Sequence, residues 1–110
     1  MNIRCNGIVI LRPTEKIQMN YKVRHNQKRR RFEIELEGYT GYLEYVLGER
    51  TMDLIHTYVP EEIGGKGVAA ALVEEVLTYA RDNNMKIIPT CSYIELYLVR
   101  HQEYEPLVVD

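Results

Sequence analysis

The chain has 110 residues, a formal net charge of -2, 45% hydrophobic and 27% charged residues, and nine Tyr and one Phe without any Trp. That is the make-up of one globular domain, with too much apolar character for a disordered chain and too little net charge to draw nucleic acid by a global field. Cys5 and Cys91 are too few for a disulfide framework, and no apolar run approaches the roughly 20 residues of a membrane span, so a cytoplasmic monomer without a membrane partner is expected.

Residues 1–28 mix polar, charged and apolar side chains without a sustained period, are broken at Arg12-Pro13-Thr14, and are expected to form a poorly defined extension. Met19 is a second candidate start, which would make the first eighteen residues an appendage. Lys28-Arg29-Arg30-Arg31, with Arg24 upstream, forms a basic cluster. It has no interleaved aromatics and no reader motif, so it reads as a solvated lead-in, against contact with an acidic partner or RNA, and no nucleic-acid partner is expected. The single domain proper is expected over residues 29–110.

From Arg31 onward, Phe32, Ile34 and Leu36 alternate with Glu33, Glu35 and Glu37, the period-two pattern of a half-exposed strand, which Gly38 ends. Tyr39 to Leu47 and Thr51 to Val59 read as two more strands, joined by Gly48-Glu49-Arg50 and stopped by Pro60, so an antiparallel meander is expected. Val68, Leu72, Val76 and Ala80, widened by Ala69, Val73 and Leu77, predict an amphipathic helix from about Lys66 to Asp82, closed by Asn83-Asn84. Lys86 to Pro89 reads as a short buried strand. Ser92-Tyr93-Ile94-Glu95 has capping-box form and opens a helix carrying Ile94, Tyr97, Leu98 and His101, and Leu107-Val108-Val109 is a candidate edge strand. The predicted class is α+β, a mixed and mostly antiparallel sheet with helices laid on it.

Strand, then Gly64-Gly65-Lys66-Gly67, then helix is an arrangement that lets main-chain amides approach an anion such as a phosphate. A flexible turn is the competing reading. A P-loop would need Ser or Thr after the lysine, where Gly67 stands, and the dinucleotide fingerprint would need a parallel unit with an acidic residue about twenty positions on.

The segment from Ile55 to Ala69, with His56-Thr57-Tyr58-Val59-Pro60 before the loop, resembles the coenzyme A signature of the GNAT superfamily. Together with Pro89-Thr90-Cys91 and His101-Gln102-Glu103-Tyr104 it is similar to the minimal, stand-alone N-acetyltransferase-like domains of that superfamily, over about Arg31 to Val109. The resemblance implies a GNAT-like fold, acetyl-coenzyme A as co-substrate, and acetyl transfer to an amine on an unidentified protein or small molecule. It also implies that the backbone of Gly64, Gly65, Lys66, Gly67 and Val68 holds the pyrophosphate and that of Thr57, Tyr58 and Val59 runs beside the pantetheine arm. Two departures stand out. Glu62 occupies a place usually held by Gln or Arg, and residues 1–30 do not read as the pair of helices that walls the acceptor site in larger relatives, so an open acceptor side is expected. A coenzyme A-binding module without efficient turnover, or an interaction domain keeping only the fold, are the alternatives.

Acetyl transfer needs a neutral nucleophile, donors for the developing oxyanion and an acid for the leaving thiolate. Cys91, beside the start of the last helix, is a candidate nucleophile or thioester-lining residue, against a packed residue at a strand-to-helix junction. Tyr97 resembles the tyrosine in the last helix of many GNAT enzymes that protonates the leaving coenzyme, against a core tyrosine. His56 carries an imidazole suited to proton transfer, against a hydrogen-bonded structural histidine. Three His and two Cys lack metal-ligand spacing, so no metal is expected.

Overall fold

The computed structural model describes residues 21–109. The expected appendage, the Met19 start and Cys5 lie outside them. The alternating run becomes β2 (Arg31–Leu36), preceded by a short β1 (Arg24–Asn26) and followed by β3 (Tyr39–Leu47) and β4 (Thr51–Tyr58). Glu37 and Gly38 join β2 to β3 with φ of 55° and 85°, both left-handed, which is the two-residue turn that matches the twist of a hairpin. A 3-10 turn over Glu61–Ile63 leads through the glycines to α1 (Val68–Asp82), then β5 (Lys86–Ile88), α2 (Ser92–Arg100) and a second 3-10 segment over Gln102–Leu107.

The five strands lie in chain order, antiparallel from β1 to β4, with β5 parallel to β4. A parallel neighbour requires a crossover, and α1 provides it. Its stripe of Val68, Leu72, Val73, Val76, Leu77 and Ala80 is buried against Phe32, Ile34, Leu43, Leu54 and Ile87 on one face of the sheet. Each large side chain so removed from water contributes at most about 1.5–3 kcal/mol. The helix stops where expected: Asn83 donates its side-chain amide to the Tyr79 carbonyl at 2.8 Å, and Asn84 takes φ 56°. α2 lies on the same face, because Ile94 and Tyr97 join the core and the Tyr97 hydroxyl reaches Glu74 of α1. Among the described residues the other face carries no helix.

Several local expectations are corrected. The N-terminal residues were unreadable by period, yet Arg24–Asn26 pair with β2, and Tyr21 and Val23 pack on the core. Glu33, expected to face solvent, is only 4% exposed. It accepts from Arg24 Nε and Nη2, Arg31 Nε and Asn26 Nδ2. Burial pushes its carboxyl up, but those donors more than offset this and hold it below the usual carboxylate range. Ser92 is the first residue of α2 rather than its cap; Cys91 stands at the cap, with no side-chain capping bond. The expected C-terminal strand shrinks to a bridge from Val108 to Ile87, after Leu107 closes the 3-10 segment.

On the core face, His25 stacks on Phe32 with ring centroids 4.0 Å apart, meets Tyr79 edge-on at 4.7 Å, and shares a 2.5 Å hydrogen bond between its Nε2 and the Tyr45 hydroxyl. Burial lowers the pKa of this imidazole. The unfolded ring takes a proton near pH 6.5, the folded ring only at lower pH. Between the two the unfolded chain binds more protons, so stability is full above that window and falls as the pH drops through it. Urea titrations at pH 7 and pH 5 should therefore show a lower midpoint at pH 5. His25→Phe, which keeps the stack and removes the titration, should shrink the difference between the two.

Candidate functional site

β4 is longer than the strand beside it. Pairing with β5 ends at Asp53 opposite Ile88, and the last main-chain link is the Cys91 amide donating to the Leu54 carbonyl at 2.9 Å. The chain then turns into α2. Among the described residues, Ile55 to Tyr58 therefore have β3 on one side and no strand on the other, leaving an edge about 13 Å long within the sheet.

A bulge shapes this edge. The β3–β4 register runs Leu43 with Thr57 and Glu44 with His56, then slips to Tyr45 with Leu54, so Ile55 is the extra residue. Side-chain parity inverts across it. Leu54 and Thr57 both face the core side, three residues apart, whereas His56 and Tyr58 face the helix-free side. The inversion brings the Thr57 hydroxyl within 3.6 Å of Cys91 Sγ. Of the three candidate catalytic side chains, Cys91 is thus at the parting of β4 and β5, while His56 is on the opposite face, with its ring 6.1 Å from that of Tyr42.

Beyond Tyr58 the chain passes Pro60 and reaches the glycine loop. Gly65 has φ 73° and Gly67, at the N-cap of α1, φ 81°, conformations that side chains other than glycine rarely adopt. The first helical bond runs from the Ala71 amide to the Gly67 carbonyl, so among the described residues the amides from Gly65 to Ala70 have no backbone acceptor. The loop is held by a carbonyl instead: the Tyr21 hydroxyl donates to Lys66 O at 2.6 Å. Because the peptide is trans, the Gly67 N–H points the opposite way from that carbonyl. Glu62 is exposed, so its carboxylate is hydrated rather than buried against the amides.

The start of α1 also presses close to the sheet. A Cβ on Gly41 of β3 would fall 2.9 Å from Val68 Cγ1 and 3.3 Å from the Tyr58 carbonyl, so only glycine lets the helix terminus sit at the end of β4. Tyr97 is 8% exposed, stacks on His101 at 4.0 Å and donates to Glu74 Oε2 at 2.8 Å. Burial and that carboxylate raise its pKa far above the usual phenol. Sequence reasoning missed Gly41, Glu74, Tyr21 and Thr90, whose hydroxyl bonds Asp53 where the strands part. Thr90 stands at the variable place of Pro89-Thr90-Cys91, and the other three belong to no local pattern.

The family model described as GCN5-related N-acetyl-transferase matches residues 31–107. The chain belongs to the GCN5-related N-acetyltransferase family. Like this family member, Protein NATD1 of Gallus gallus is a short chain; the two are 37% identical over 81 residues, 70% of this chain and 73% of the relative. NATD1 of Homo sapiens is 36% identical over 81 residues, 70% and 71% of the two chains, and that of Danio rerio 34% over 94 residues, 80% and 84%. The NMR solution structure of a GCN5-like protein from Staphylococcus aureus superimposes with a TM-score of 0.65 at 26% identity, over 83% of this chain and 90% of that one. The GNAT-like α+β fold expected from the sequence is thereby borne out.

Gly41→Ala should push the first turn of α1 off the sheet and destabilise the fold by roughly 1–3 kcal/mol, read by urea unfolding. Adding Val68→Ala should return part of that loss, since it removes the methyl that the new Cβ meets. Equal stability of the single and double variants would show that the contact with Val68 does not set the helix position.

Proposed function

We propose that the chain binds acetyl-coenzyme A along the free edge of β4 and transfers its acetyl group to an amine. The observation that carries this reading is the row of amides from Gly65 to Ala70, uncommitted to backbone acceptors among the described residues and gathered where the unpaired strand ends. A pyrophosphate suits a helix N-terminus approached through two left-handed glycines, and Gly64, Gly65, Lys66, Gly67 and Val68 would hold it by main chain alone. A pantetheine arm has amides of its own, so Thr57, Tyr58 and Val59 would meet it much as a strand meets an added strand. Bound there, the coenzyme supplies an activated acetyl thioester.

The residues at the far end of the edge have separable tasks. Cys91, with Thr57 beside it, lines the acyl end of the groove. The amides of Ser92, Tyr93 and Ile94 open α2 and precede its first helical bond, from the Glu95 amide to the Cys91 carbonyl at 3.1 Å; they are donors for a developing oxyanion. Tyr97 acts by position, since its phenol proton is directed at Glu74. That same commitment favours a second reading, a coenzyme A-binding module with slow turnover, because the phenol is not offered to a leaving sulfur.

Isothermal calorimetry with acetyl-coenzyme A tests the first step: binding is expected, and Gly67→Val should weaken it at least about tenfold through backbone strain at φ 81°. No heat of binding for the unaltered chain would remove the reading. Thiol release with a panel of amines then separates the enzyme from the module. Cys91→Ala should slow release if the thiol carries the acetyl group or lines the thioester; unchanged turnover would make Cys91 a packing residue. Tyr97→Phe should lower stability by about 1–2 kcal/mol, with turnover kept within a few-fold. A collapse of kcat at unchanged stability would instead assign the phenol to the chemistry.

A further inference from the structure

We infer that two copies of the chain pair through the outward face of α2, side by side and in parallel, as a two-fold dimer. Composition leads to the expectation of a monomer, and α2 is the part of the fold that does not fit one. The pairing stands apart from the acetyl-transfer reading and needs no coenzyme.

α2 is nine residues long and buries one side only. Ile94 and Tyr97 join the core, whereas Leu96 and Val99 are 61% and 63% exposed and Tyr93 39%. A helix laid on a core normally turns polar side chains outward; here Leu96 and Val99, three residues apart, make an apolar ridge instead. Beside it lies a groove of about 580 Å³ lined by Pro89, Leu98, Val99, Val108 and Val109. A ridge next to a groove can supply both halves of a self-complementary contact.

Charge says what covers the ridge. Glu95 flanks it on the groove side, among the residues that line the groove. Arg100 flanks it on the other side, near Tyr93: burial raises the pKa of that phenol and the Arg100 charge opposes it. Glu95 and Arg100 are both exposed, and among the described residues neither has an ion-pair partner. Leu96 and Val99 stand as positions a and d of a heptad, with Glu95 at g and Arg100 at e. In a two-fold pair whose axis runs along the helices the flanks exchange, so g of one helix faces e of the other five residues further on. Glu95 and Arg100 have that separation. Each copy's Glu95 therefore reaches the other's Arg100, and symmetry makes the contact twice. An antiparallel pair keeps each flank against its own kind and leaves both charges unmatched.

In the parallel pair Leu96 packs on Leu96, Val99 on Val99 and, one turn earlier, Ser92 on Ser92. Tyr93, on the Arg100 flank, comes over the second copy's groove near Pro89 and extends the apolar contact beyond the helices. The two starts of α2 meet, so each Cys91 stands one residue from the contact.

Sedimentation equilibrium of the full chain should show a mean mass rising from 12.9 kDa toward twice that value between micromolar and millimolar concentration. Glu95→Lys and Arg100→Glu should each weaken association at least about tenfold, since one substitution reverses two contacts, and the two together should return it to within about threefold of the original. Leu96→Glu should leave the chain single with its urea midpoint unchanged, because Leu96 has no part in the core. Leu96→Cys, treated with oxidised glutathione, should link to its own copy at position 96, located by mass spectrometry. A mass that stays at 12.9 kDa throughout would overturn the pairing and leave the ridge to a different protein. A dimer that ignores both charge reversals, or that the double variant does not restore, would overturn it equally. Linkage of Leu96→Cys chains to Val99→Cys chains, but not to one another, would make the pair antiparallel and sink the geometry inferred here.

Discussion

β4 runs on for five residues after β5 has left it, four of them past the last link at Leu54, and an interior stretch of main chain without a partner must find one elsewhere or meet water. The rest of the site is arranged around that gap. At one end α2 begins, with Cys91 donating to Leu54 as the last stitch; at the other, α1 begins beyond the glycine loop. Two helix N-termini, each with donors not used by its own helix, thus bracket one length of unpaired strand. A ligand with acceptors at both ends and amides between them has a complement in this frame, which is what the proposed coenzyme thioester would offer and a simple phosphate would not.

Holding that frame requires the sheet to be firm elsewhere. The helices cover one face, and the opposite face keeps its order through polar chemistry. Glu33 gathers Arg24, Arg31 and Asn26 from two neighbouring strands and so ties the short β1 to the sheet. A lone carboxylate at 4% exposure would be costly; with three partners it fixes β1 in register. On the core side His25 does the same job by ring stacking. Between them, these two residues explain how a three-residue strand persists at the edge.

The regular parts of the chain were legible because they obey one period each. Phe32, Ile34 and Leu36 alternate, and Val68 to Ala80 repeat every three to four residues, so the meander, the crossover helix and most of the core follow from spacing alone. The glycine loop was legible too, since φ values of 73° and 81° are what its glycines are for. What escaped was non-local. Glu33 looks like an outward residue until Arg24 is placed across from it. Gly41 lies in an ordinary strand and matters through the Tyr58 carbonyl and through Val68, twenty-seven positions away. Tyr97 reads from sequence either as an acid for the leaving thiolate or as a core tyrosine, and the partner that commits its hydroxyl, Glu74, is on another helix. Residues 21–26 have no period because their order comes from pairing and from Tyr21 reaching Lys66.

Ile55 contributes through being present more than through its side chain. As the extra residue of the bulge, it sets which of its successors look up and which look down, so Thr57 is on the thiol side and His56 and Tyr58 are on the opposite side. Shortening β4 by that one position would exchange the two groups at a stroke, pressing an imidazole and a phenol into the core and carrying the hydroxyl beside Cys91 out of reach. Replacing Ile55 leaves the count intact and the faces where they are. In aligning relatives of this chain, a gap at this point would thus signal a different division of labour between the two sides of the sheet, even where every neighbouring letter is the same.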